Sequence, residues 1–173
     1  MTEHNDFIEQ LSEKDNIHAF LALCCQKIAD QIDCLIERVF RKQDFALKSV
    51  VDSLFEHQGP LADLSVRLKV LLGLGVISVE CYQDLSLLLR AEQIVKKEHS
   101  LTFASPQVLK FAERLNLADV QQINGLIQSF PTLNDPNSLQ YQMQQMRIEK
   151  MVRSCLILTV VELLEALDVE SPL

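Results

Sequence analysis

Apolar residues at Ile17, Leu21, Cys24, Ile28, Ile32, Leu35 and Val39 recur every three or four positions, the spacing of one face of an α-helix. This pattern predicts a helix from Asn16 to about Arg41, with Asp15 or Asn16 as its N-cap. Residues 1–15 are polar and acidic and are expected to form a flexible segment or a short helix. A second helix is expected from about Asp44, with Leu47, Val50, Val51 and Leu54 on one side, ending at Gly59 and Pro60. Pro60 suits the first position of a third helix, because its missing N–H would be unpaired there anyway. That helix would turn Leu61, Leu64, Leu68 and Leu71 inward and halt at Gly73-Leu74-Gly75, with Gly73 or Gly75 at positive φ. Asp63 and Arg67, one turn apart, are expected to pair.

The second half of the chain carries the same signals. Ser78 is a natural N-cap, Glu80 follows in the first turn, and Lys96 and Lys97 close the segment, so both ends complement the helix dipole. Ser105-Pro106 opens PQVLKFAERL, and ADVQQINGLIQSF suggests a further short helix that Gly125 weakens. Beyond the loop PTLNDPNS a long helix is expected from about Pro136 to Leu167 or Asp168, spanning about 45 Å. Its first half is rich in Gln and Met, whereas SCLILTVVELL is apolar nearly all round and must be enclosed by other helices or by a second subunit.

Composition agrees with this pattern: 48% of the 173 residues are hydrophobic, and four Gly and five Pro leave few helix breakers. The expectation is one all-α domain over 1–173, a multi-helix bundle with a long C-terminal helix. The N-terminus lacks the charged start and apolar run of a signal peptide, and a cytoplasmic location is expected. Arg153, Glu162 and Glu165 interrupt its most apolar stretch, so no membrane span is expected. The five Cys and four His show no ligand spacing, and no metal or cofactor is expected; the cysteines read as small core residues.

GPLADLSVRLKVLLGLGVIS, residues 59–78, has the outline of a DNA-reading helix-turn-helix. A recognition helix must offer donors and cations from its first turns. Here those turns carry Val79, Glu80, Cys81, Tyr82, Gln83 and Asp84, so two carboxylates face the backbone and Tyr82 and Gln83 are the remaining readers. The net charge of −8 also argues against a phosphate-gripping domain. Direct DNA binding is therefore doubtful, and the glycines read better as a tight connection between core helices. The basic cluster Arg38, Arg41, Lys42 and Lys48 reads first as a solvated helix end.

VFRKQDFALKSVVDSLFEHQGPLADLSVRLKVLLGLGVIS, residues 39–78, resembles the signature region of the mannitol operon repressor family, with Gly59, Pro60, Asp63, Arg67, Gly73 and Gly75 marking its turn. VRSCLILTVVELLEAL is similar to helices of the same family. The resemblance implies an all-helical cytoplasmic regulator that lowers expression of mannitol uptake and utilisation genes. It also implies a protein without a recognised DNA-binding motif, which points to repression through a protein partner, another transcription regulator or a component of the sugar phosphotransferase system.

Two enzymatic alternatives exist. The family includes a branch labelled as fumarase, and hydration of fumarate would draw on Arg67, Arg41, His57 and His99, but no spacing ties these together and the cysteines lack an iron–sulfur pattern. A helical nuclease would need Arg and His four to six residues apart, whereas eight separate Arg90 from His99, and Ile94 and Val95 stand where an Arg-Asn pair belongs. A binding protein is the better reading. Met143, Met146 and Met151 on the last helix could form an adaptable partner surface. Arg38, Arg41 and Lys42 could meet an acidic partner, and a homodimer through the last or the first helix is expected.

Overall fold

The computed structural model describes residues 2–40, 53–54, 59, 61–116, 125 and 127–169. Six helices are delimited among them: α1 (Thr2–Ser12), α2 (Ile17–Phe40), α3 (Leu64–Gly73), α4 (Val79–Lys97), α5 (Pro106–Ala112) and α6 (Leu139–Leu167). Ser53 and Leu54 are helical, as are Gly125, Ile127 and Gln128. The rest of the expected second helix lies outside the described residues, and with it Arg41, Lys42, Lys48, His57 and Pro60; so does most of ADVQQINGLIQSF.

The centre of the bundle is α2. All seven apolar positions that predicted it are buried, and Phe20, Cys25 and Ile36 widen the stripe. A stripe this wide has neighbours on several sides: α4, α6, α3 and α1 all pack on α2. Burying each large aliphatic side chain contributes about 1.5–3 kcal/mol, so this one helix anchors the core. Asn16 is its cap, Oδ1 accepting the Ala19 N–H at 2.8 Å. Phe20 meets Phe103 edge to face, with ring centroids 5.3 Å apart, which fixes the segment between α4 and α5 against α2.

Two helix starts differ from expectation. The third helix begins at Leu64, because the Asp63 carboxylate accepts the Ser65 N–H at 2.8 Å and caps it. Leu61 stays inward from a turn, its N–H bonded to Leu54 O at 2.9 Å. The last helix begins at Leu139, three residues after Pro136: Asp135 takes the Asn137 N–H at 3.0 Å, and Ser138 Oγ caps Tyr141 N–H at 3.2 Å. With 29 residues α6 is about 43 Å long.

Candidate functional site

Gly59, Asp63, Arg67, Gly73 and Gly75 can be placed one by one. A side chain at residue 59 would run into the carbonyl oxygens of Leu54 and Ser53, so the close approach of two backbones demands glycine there. Asp63 caps α3, and the Ser65 N–H holds its carboxyl below the usual carboxylate range. The expected Asp63–Arg67 pair is replaced: the Arg67 guanidinium binds the Asp33 carboxylate of α2, and its Nε donates to Leu61 O at 2.6 Å. Arg67 thereby joins α3, the turn before it and α2. Gly75 has φ +71°, and a Schellman closure runs from Val76 N–H to Leu71 O and from Gly75 N–H to Leu72 O, both 3.0 Å. Gly73 ends α3 in open space, and nothing near it demands a glycine.

The first turns of α4 are equally committed. Ser78 Oγ caps Cys81 N–H at 3.1 Å. Asp84 is fully buried and does not face outward; both its oxygens accept the Asn116 N–H at 2.9 Å, and Oδ1 takes Asn116 Nδ2 at 2.8 Å. Gln83 Oε1 binds the same Asn116 side chain at 3.2 Å, and Tyr82 packs half-buried against the core. Both residues left as base readers are thus occupied, and Asn116, 32 positions from Asp84, is a partner that the sequence pattern did not reveal.

Arg38 is placed at the far end of α6, which has no basic residue in its own last turn. Its guanidinium donates to Asp168 at 3.2 Å and to Leu167 O at 3.4 Å, supplying from α2 the positive charge that a helix C-terminus favours. The candidate partner cation is therefore spent, at least in part, inside the molecule.

The first half of α6 is different. Leu139, Met143 and Met146 stand four and three positions apart, one helical face, at 71%, 47% and 59% exposure. Met151 is half-buried. In the second half Cys155, Leu156, Thr159, Val160, Leu163, Leu164 and Leu167 are buried, while Leu158 remains 62% exposed.

Four of the five thiols are core residues, as expected; Cys34 is exposed. Burial, with the Glu92 charge second, pushes the Cys25 thiol up to about 12; burial, with Asp84 second, pushes Cys81 up to about 11. Thiols held neutral in this way are poor nucleophiles. Among the described residues no group of three His, Cys, Asp or Glu could hold a metal ion, and no helix is long and apolar enough to cross a membrane. His99 stacks on His18 at 5.9 Å, and His18 Nε2 lies 3.1 Å from Glu98 O. Arg67 and His99, two groups of the hydratase reading, are thus engaged with different partners.

The sequence profile described as mannitol repressor matches residues 3–168. A mannitol operon repressor from Escherichia coli K12 is 31% identical over 167 residues, 96% of this chain and 83% of the relative. The X-ray structure of the MtlR–HPr complex from Escherichia coli superposes with a TM-score of 0.83 at 29% identity, covering 98% of this chain and all of that one. A possible transcriptional regulator, YggD, from Shigella flexneri shares the fold at 20% identity, with a TM-score of 0.77 over 95% of this chain and 98% of its own. These relatives bear the names of regulators, and the fumarase alternative finds no support among them.

Proposed function

This chain belongs to the mannitol repressor family, and from that premise we propose that it lowers expression of mannitol uptake and utilisation genes as a cytoplasmic repressor or co-repressor. We infer that the chain, as one helical unit over 1–173, acts by binding other proteins and has no enzymatic role. The observation that carries this reading is the match, over 98% of this chain, to a relative solved as a complex with HPr. HPr, a sugar phosphotransferase component, is accordingly the first partner to test. The bond of Gln83 to Asn116 and the packing of Tyr82 against the core support the same reading, because they draw on the two side chains a DNA-binding helix would use to read bases.

The partner surface is assigned to the exposed face of α6 around Met143 and Met146, with half-buried Met151 behind it. Arg41 and Lys42 are the second candidate, with Arg38 beside them already drawn toward Asp168. A homodimer through α6, in which Leu158 gains cover, is the proposed assembly; a 19.7 kDa monomer in sedimentation at micromolar concentration would remove it.

The deciding experiment titrates purified protein against labelled mannitol promoter DNA, alone, with HPr, and with host lysate depleted of nucleic acid. Retardation that needs added protein is expected. A sequence-selective shift by the chain alone at physiological salt would overturn the co-repressor reading.

A further inference from the structure

A cleft of about 230 Å³ opens between α4 and α5. Its floor is apolar, made by Leu21 of α2, Ala91 and Val95 of α4, and Val108 of α5. Ile94, one turn beyond Arg90 on α4, stands at the lip and is 46% exposed. No residue of α6 lines the cleft, so it is separate from the methionine face.

Three cations edge this furrow: Arg90 on α4, Lys110 on α5, and Arg114 one turn further along. All three are exposed, and among the described residues none of their charged groups has an ion-pair or hydrogen-bond partner. In a chain of net charge −8, three unpaired cations around one apolar furrow are a local reversal of sign.

The chemistry of the occupant follows from size and charge. Pockets that enclose a small molecule run to about 300–1,000 Å³, and this one is smaller and open, so it takes anchoring side chains from something lying over it. A sugar phosphate would find few hydrogen-bonding groups on the apolar floor. A simple carboxylate would meet one cation and leave the others unpaired. Positive charge on both banks, from α4 on one side and α5 on the other, matches an amphipathic helix whose apolar stripe is flanked on both sides by Asp or Glu. We propose that the α4–α5 cleft is a docking groove for an acidic amphipathic helix of a partner protein.

The test uses the full chain and a fluorescein-labelled helical peptide of about 16 residues, with Leu at i, i+3, i+4 and i+7 and Glu flanking that stripe. A second peptide replaces every Glu with Lys, and octanoate serves as the small apolar anion. By fluorescence anisotropy the Glu peptide is expected to bind about tenfold or more tightly than the Lys peptide. The double variant Arg90→Glu with Arg114→Glu should reverse that order, and Ile94→Asp should weaken both peptides. Should the charge-reversed chain lose its helical circular dichroism, Arg90→Gln with Arg114→Gln takes its place and should abolish the preference. Equal affinity for the two peptides, no binding, or an order unchanged in the variants would overturn the proposal. Displacement of the Glu peptide by equimolar octanoate would also overturn it, in favour of a small amphiphile.

Discussion

The corner between α3 and α4 and the first half of α6 both stand out in the sequence as stretches that could meet a partner, and the structure treats them in opposite ways. At the corner nearly every polar group is spent: Arg67 on Asp33 and Leu61, Ser78 on Cys81, Asp84 on Asn116. On α6 the apolar side chains of Leu139, Met143 and Met146 are left over. The corner's residues hold the bundle shut, so its signature records how the family folds. A surface that binds must have groups the fold has not consumed, and by that measure the α6 face and the α4–α5 cleft are the surfaces proposed for recognition.

If that contrast holds, substitutions at the corner cost stability and those on α6 cost binding. The largest effect is expected at Asp84→Ala, which empties a fully buried position and removes the acceptor of the Asn116 N–H and Nδ2; a loss of about 1–3 kcal/mol should appear as a lower urea midpoint. A loss under half a kcal/mol would break the comparison.

Alkaline titration ranks next. The Cys81 thiol ionises near 9.0 when unfolded but near 11 in the fold, where burial and Asp84 hold it neutral. Its contribution is complete below pH 9 and is lost as pH rises toward 11, because in that window the unfolded chain has released a proton the folded chain keeps. The fall approaches about 1.4 kcal/mol per pH unit. Cys81→Ala should lessen the fall measured by urea unfolding between pH 9 and 10.5; Cys24, Cys25 and Cys155, raised in the same direction by burial, sustain the remainder.

Gly75→Ala forces a side chain into positive φ and should cost about 1 kcal/mol, read as a drop in Tm. The smallest stability change, within about 0.5 kcal/mol, is expected for Met143→Ser with Met146→Ser. That pair should nevertheless weaken HPr capture in a pull-down, and capture that survives intact would move the partner surface off α6.

The helical period made most of the fold readable. Every position predicted for the inner face of α2 is buried, and Asn16, Ser78 and the Gly75 closure act as local chemistry requires. What stayed hidden depends on residues far apart in the chain. Asp33 competes with Asp63 for Arg67 across 34 positions, and Asp168 reaches Arg38 across 130, distances at which no periodic pattern gives a signal. Pro60 and Pro136 were plausible first residues, but Asp63 and Ser138 lie downstream with side chains able to cap, and a cap decides the start more firmly than a proline permits it. The cleft was invisible for the same reason as the long pairs: Arg90 and Lys110 flank one furrow only after α4 and α5 have met.

Arg153 of α6 lies 4.7 Å above the ring of Phe103 and donates to Ser12 O at 3.4 Å and Asp15 O at 3.3 Å, where α1 gives way to α2. Arg153 and Asp15 are 138 positions apart in the chain. At a synthesis rate of about 5–20 residues per second, Asp15 leaves the ribosome on the order of ten seconds before the arginine that will hold it. For that interval α1 has no anchor on α6, and the part of the α2 stripe that α6 covers stays open. Of the six helices the one made last is thus the bolt of the structure, and a nascent chain arrested before Arg153 presents the cell with an open core.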